Sequence, residues 1–251
     1  MSGVARRTKS RFASRPLNDQ PASMPPFNHP ALTEGRTLYP ATVRASRDRW
    51  ALKSGDNARK IGARILKGRW KGYAVYTLTL EERKTCPTSC HHWRSCMGNK
   101  MNWADRVATR PDLLWRLERE VALLEIRHPG GFAVRLHVLG DFFSVEYVQF
   151  WERLLELHPA LHVWGYSARH DKDDPIAAAL VALVKKQWSR FAVRFSNAPM
   201  PFALPATTTV EHPLQVPTGS VLCPEQIGRT ESCSTCGLCW ATTKRVAFIQ
   251  H

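Results

Sequence analysis

The sequence predicts an α/β fold in which parallel strands are joined by crossover helices. Four short runs rich in β-branched and aromatic residues alternate with three segments of helical period. Alternation at this spacing is the signature of βαβ units. The chain has 251 residues, 43% hydrophobic and 23% charged, which is apolar material enough for one sizeable core. A further observation stands outside the pattern: seven cysteines, an odd number, gathered in two groups.

The elements follow in order. Residues 72–80 (GYAVYTLTL) read as the first strand, and 81–102 as a loop bearing three cysteines. Thr109-Arg110-Pro111-Asp112 resembles a capping box with proline in the first turn. Leu113, Leu114, Leu117, Val121 and Leu124 mark one face of the helix it would open, and His128-Pro129-Gly130-Gly131 stops it. The second strand is 132–138 (FAVRLHV), turning at Gly140 and Asp141. Ser144 can cap a helix carrying Val148, Trp151, Leu154 and Leu155, which ends near His158-Pro159. The third strand is 161–167, the third helix 175–186, and the fourth strand 190–196. Residues 197–220 are proline-rich and read as irregular, and a short strand is expected at 246–250. Four strands leave open whether the sheet is flat-ended or curls into a partial (β/α) barrel.

Charge divides the chain. Residues 1–70 hold 15 Lys and Arg against four acids, so most of the net +15 lies there. Residues 1–45 are rich in Ser, Pro, Thr and Arg with no apolar period, and are expected to form a disordered basic arm. The α/β core with the first cysteine loop is then 46–200, and a cysteine-rich metal-binding segment is 201–251. Arg59, Lys60, Arg64, Lys67 and Arg69, interleaved with Trp50 and Trp70, suit contact with DNA or RNA through phosphates and stacked bases. The same residues equally suit a solvated basic face. No apolar run is long enough for a membrane span, and the N-terminus lacks the apolar core of a secretory signal. A reducing cytoplasm is the expected compartment, where clustered cysteines point to metal or catalysis more than to disulfides.

Cys223, Cys233, Cys236 and Cys239 form C-x9-C-x2-C-x2-C. Overlapping C-x2-C spacing is typical of a [4Fe–4S] cluster, and four thiolates also suit tetrahedral zinc. Cys86, Cys90 and Cys96 form C-x3-C-x5-C, one ligand short of a closed site. That group would hold a [4Fe–4S] cluster with one open iron, or zinc completed by His91 or His92. One or two metal centres are therefore expected. The first group follows the first strand, at the sheet edge where parallel α/β folds build their sites. Strand period puts Arg135 and His137 on one face, and His162, Trp164 and Tyr166 on one face of the next strand, with Arg194 in the fourth. Parallel strands are usually apolar on both faces, so this polar set, with Gly140 and Asp141, marks a candidate cofactor pocket. A carboxylate at a strand end suits an amino group or a ribose hydroxyl.

Three segments carry a family resemblance: 79–90 (TLEERKTCPTSC), 134–144 (VRLHVLGDFFS) and 223–240 (CPEQIGRTESCSTCGLCW). They resemble a phage and prophage family, the gene product eighty-eight family, over about residues 55–250. That family brings no assigned activity. A wider likeness is to radical S-adenosylmethionine enzymes, in which a three-cysteine cluster loop follows the first strand of a partial barrel and a Gly-Gly-Glu-like turn follows the second. The resemblance implies cluster binding by Cys86, Cys90 and Cys96, S-adenosylmethionine contact at Leu139-Gly140-Asp141, and an auxiliary cluster at the C-terminal cysteines. The chain departs from that pattern in its five-residue second gap, in Ser95 before the last cysteine, and in Asp for Glu. Residues and resemblance together leave two functions open: an iron–sulfur protein with a radical S-adenosylmethionine-like core acting on a nucleic acid or nucleotide, or a non-enzymatic protein, stabilised by zinc or an iron–sulfur cluster, that binds nucleic acid through its basic arm. A zinc hydrolase is disfavoured by the lack of a His/Asp ligand motif.

Overall fold

The computed structural model describes residues 24–45 and 50–250. In chain order the strands are β1 (Val43–Arg44), β2 (Lys53–Ser54), β3 (Ala74–Thr77), β4 (Arg106–Val107), β5 (Phe132–Leu136), β6 (Leu161–Ser167), β7 (Phe191–Phe195), β8 (Thr207–Val210), β9 (Val221–Leu222) and β10 (Val246–Ile249). The helices are α1 (Pro30–Thr33), α2 (Glu82–Thr85), α3 (Leu113–Arg127), α4 (Val145–Leu157), α5 (Pro175–Gln187), α6 (Cys233–Cys236) and α7 (Leu238–Ala241).

The α/β expectation holds. The main sheet has the order β2-β3-β5-β6-β7. Its last four strands are parallel and linked by α3, α4 and α5, while β2 is antiparallel. The order never reverses, so right-handed crossovers stack all three helices on one face, the winding of a barrel segment. Val134, Leu136, Val163, Val193 and Phe195 point to that face and pack with Leu117, Val121, Trp151, Leu154, Leu180 and Leu183. Capping follows local chemistry. Ser144 Oγ accepts from Tyr147 N at 3.1 Å. Asp174 Oδ1 accepts from Ile176 N at 2.8 Å ahead of Pro175. The expected box before α3 does not form: Asp112 stands at the N-cap, and its side chain does not cap the helix's first turn.

The other face carries Val75, Ala133, Trp164 and Ala192, and what covers it is sequence-distant: Ile61, Ile65, Trp70 and Trp240. Trp70 and Trp240 stack with centroids 5.3 Å apart. A second parallel sheet, β8-β10-β9, is joined to the first by a parallel bridge from Phe195 to Ala206. β8 and β9 are short, and β8 lies inside the proline-rich stretch read as irregular, because its partner β10 is about 40 residues away and leaves no local period.

The arm is corrected in part. Residues 1–23 lie outside the described set, but 24–45 are built into the core. β1 pairs in parallel with β4, and Thr37 is fully buried, its hydroxyl donating to Glu82 Oε1 at 2.9 Å. Tyr39 OH donates to the Asn99 carbonyl at 2.5 Å. Among the described residues no helix is long and apolar enough to cross a membrane.

Candidate functional site

One cavity of about 540 Å³ opens on the sheet face away from α3–α5, between the two sheets. All seven cysteines line it, together with Arg135, His137, Gly140, Asp141 and Tyr166. No cysteine is in a disulfide.

The first cysteine loop is held by buried ionic chemistry. Cys86 ends the single turn of α2, its N–H donating to the Glu82 carbonyl at 2.8 Å. The Glu82 carboxylate pairs with Arg106 at 2.7 and 3.1 Å, both side chains essentially without exposure. Arg106 also donates to the Gly98 carbonyl at 3.0 Å, and Arg83 to the Trp93 carbonyl and Asn99 Oδ1 at 3.0 and 2.6 Å. These bonds shape 93–99 around Cys96, whose Sγ accepts from Gly98 N at 3.3 Å.

The C-terminal group lines the same cavity. Cys223 follows β9, its N–H donating to the Ala247 carbonyl at 2.9 Å. Ser232 and Thr235 form a reciprocal cap that starts α6, and Gly237 in the left-handed region separates α6 from α7. The basic segment binds this loop directly: Cys233 N donates to the Lys60 carbonyl at 2.7 Å, Ser234 N to Ile61 and Leu66 N to Ser234.

Within each group the thiols lie in electrostatic range of one another. Burial pushes Cys86 well above the usual thiol range, Cys90 up to about 11 and Cys233 up to about 12. At neutral pH these side chains are therefore thiols, and a metal taking them as thiolates releases protons. Among the described residues no three His, Cys, Asp or Glu side chains converge closely enough, as they stand, to hold a metal ion.

The predicted cofactor residues divide. Arg135 faces the cavity as expected, its guanidinium 4.5 Å over the Tyr166 ring. His137 also lines the cavity, but its ring is turned into the core. β5 ends at Leu136, which resets the alternation, and His137 Nε2 lies 3.0 Å from Tyr147 OH of α4 with its ring against Phe142. Burial, then Arg135, holds its pKa down to about 3. Gly140 lies at φ 92°, where an added Cβ would meet Leu80 and Thr85. Asp141 is engaged by the backbone: its oxygens accept from Phe142 N and Ala168 N, both at 2.7 Å. It ties the ends of β5 and β6 together, and burial raises its carboxyl to about 6. His162 turns away, against Trp70 and Tyr73. His92 lines the cavity with Nε2 3.2 Å from Thr209 Oγ1, whereas His91 is exposed.

The basic candidates are partly committed. Lys60 pairs with Glu225 at 3.0 Å. Arg69 donates to the carbonyls of Trp240 and Trp188 at 2.6 and 3.2 Å, and Arg64 to Gly72 at 2.7 Å. Arg59 and Lys67 are exposed, and Arg59 and Lys60 stand at the cavity. Sequence reasoning missed Thr207, Thr209 and Phe248 of the second sheet, which complete the cavity wall.

A pH dependence follows from His137. Its folded pKa lies below the unfolded value, so neutral His137 contributes stability above about pH 6.5 that is lost as pH falls toward about 3. Asp141, shifted upward, works in the opposite sense below about pH 6. Denaturant midpoints of the protein and of His137→Gln should therefore converge on acidification, the native protein losing about 1.4 kcal/mol per pH unit more. Parallel profiles would refute neutral burial of His137.

Residues 50–242 match the family model described as gene product 88. The chain belongs to the gene product 88 family. It is similar to the Gene 88 protein of Mycobacterium phage D29, 30% identical over 135 residues, 45% of this chain and 53% of that protein. The chain thus spans about half the length of the curated relative it matches. No solved structure matches. The gene product 88 match covers both cysteine groups and the cavity wall apart from Phe248, Ile249 and Gln250, and neither match supports the resemblance to radical S-adenosylmethionine enzymes.

Proposed function

We propose that this member of the gene product 88 family is an iron–sulfur protein whose two thiolate centres share one small-molecule cavity. Cys223, Cys233, Cys236 and Cys239 hold a complete [4Fe–4S] cluster in this reading, and Cys86, Cys90 and Cys96 a second with one open iron. The observation that carries it is the gathering of all seven cysteines, from segments more than 120 residues apart, on one cavity without disulfides. The open iron would supply a coordination position for substrate or for S-adenosylmethionine. The cavity's own groups bind and orient: Arg135 offers a cation beside an aromatic face, and Arg59 and Lys60 at the edge suit an anionic substrate such as a nucleotide.

Anaerobic purification with iron, sulfide and zinc analysis tests this reading. Roughly eight irons per chain with matching sulfide and broad visible absorption are expected. A colourless protein holding only zinc would refute it. Reductive cleavage of S-adenosylmethionine by the iron-loaded protein, lost in Cys90→Ser, would establish the finer reading.

A second reading, a metal-stabilised nucleic-acid-binding protein, is favoured by the exposed cations Arg59, Arg64, Lys67, Arg69 and Lys71 on one segment. It predicts binding of single-stranded nucleic acid that weakens steeply with salt.

A further inference from the structure

Among the described residues, two cations on the cavity side of the sheet have no acid to balance them. Arg194 has no exposure. Its guanidinium donates to the carbonyls of Cys239 and Lys244, both at 2.8 Å, of Ala206 at 3.4 Å, and of Thr242. Arg135 donates to the carbonyls of Leu136 and His137 and rests on the Tyr166 ring. Among the described residues neither pairs with a carboxylate. The buried Arg106 shows the contrast, since Glu82 matches it. Arg194 is buried and Arg135 half-buried, on strands flanking β6. A cation drawn from water without a counter-charge is costly, so two of them facing the same thiol group call for an anion there.

What both of them approach is Cys239 of the C-terminal group, whose carbonyl accepts from Arg194 and whose sulfur accepts from Tyr166. Tyr166 OH donates to Cys239 Sγ at 2.8 Å. Arg135 is in electrostatic range of Cys233 and Cys239, and Arg194 of Cys239. Lys60, also in range of Cys233, is already paired with Glu225. We infer that Arg135 and Arg194 are the counter-charges of a doubly negative tetrathiolate centre at Cys223, Cys233, Cys236 and Cys239, with Tyr166 donating a hydrogen bond to its sulfur. Four thiolates around a dication, whether zinc or an oxidised [4Fe–4S] core, leave a double negative charge, and two guanidiniums cancel it. The inference rests on the C-terminal half of the proposed function and deepens it: the centre's charge and metal retention are set by residues on β5, β6 and β7.

The test uses the full-length chain with Cys86, Cys90 and Cys96 changed to serine, so that the C-terminal centre is read alone. Metal content comes first, and a metal-free protein would remove the proposed reading itself. With metal bound, Tyr166→Phe and Arg135→Gln should each speed its loss to a chelator by about 10–100-fold, the range for residues that support metal ligands. If the metal is an iron–sulfur cluster, its reduction should become harder by about tenfold in the equilibrium constant, about 59 mV for a one-electron couple. Arg135→Lys keeps the charge and should restore most of the loss. Arg194 is left in place because its bonds to Cys239, Thr242 and Lys244 also hold the C-terminal segment to the sheet. Unchanged metal loss and potential in Tyr166→Phe and Arg135→Gln would overturn the inference while leaving the metal centre standing. Arg135→Lys as poor as Arg135→Gln would overturn the counter-charge role.

Discussion

Glu82→Gln is expected to destabilise the protein by about 3–5 kcal/mol, the cost of removing one partner from a buried ion pair. Arg106 has no exposure and takes both oxygens of Glu82, while Thr37 donates to one of them. Glutamine keeps a single acceptor and turns an amide N–H toward a guanidinium that stays charged. The bonds of Arg106 to the carbonyls of Gly98, Met101 and Ala104 cannot replace a charge. The same pair anchors the turn that ends in Cys86 and the segment that follows Cys96. Iron bound at the first group should therefore fall together with the denaturant midpoint, while the C-terminal group keeps its metal. Equal loss of metal from both groups, or a midpoint within 1 kcal/mol of the parent on the scale of an exposed ion pair, would count against this role for the pair.

Gly165→Ala is the second large effect. Gly165 faces Leu136 across the β5–β6 ladder. A Cβ there would lie 1.6 Å from the Leu136 carbonyl oxygen and 2.7 Å from its carbon. Backbone cannot give way as a side chain does, so the two strands must part. Overpacking of this kind costs about 1–3 kcal/mol even where side chains can adjust, and the upper end or beyond is expected here. Gly165 lies between Trp164, buried with Trp70 and Trp240, and Tyr166, which carries Arg135 and reaches Cys239. Thermal unfolding and C-terminal metal content should drop together in the variant. A melting curve superimposable on the parent's would show that β5 and β6 separate freely at this point.

Much of the fold was legible in the chain. Helices α3, α4 and α5 and strands β5, β6 and β7 each carry a local period or a local stop, such as Ser144 before α4 or Gly130-Gly131 after α3. The face shared by Trp164 and Tyr166, and that of Arg135, followed from alternation because those strands stay regular. His137 escaped the same rule because β5 ends one residue earlier. β8 and β9 were illegible because only pairing with distant β10 makes them strands. Segment 24–45 looked like an arm because prolines interrupt it and it carries no apolar period, yet it is fixed by a few long-range bonds, Thr37 to Glu82 and Tyr39 to Asn99 among them.

The sequence by itself determined the α/β alternation, the three-plus-four division of the cysteines and the concentration of positive charge before residue 70. These are properties of spacing and composition, which exist before folding. Tertiary structure alone decided that both cysteine groups meet at one cavity, that Asp141 is spent on backbone N–H groups, and that Lys60 and Arg69 brace the C-terminal loop. It also decided that two arginines, paired with no acid among the described residues, come within electrostatic range of the C-terminal thiols. The physical reason is that charge balance in a low-dielectric interior is a sum over neighbours in space, and a one-dimensional pattern carries no record of which distant residues those neighbours are.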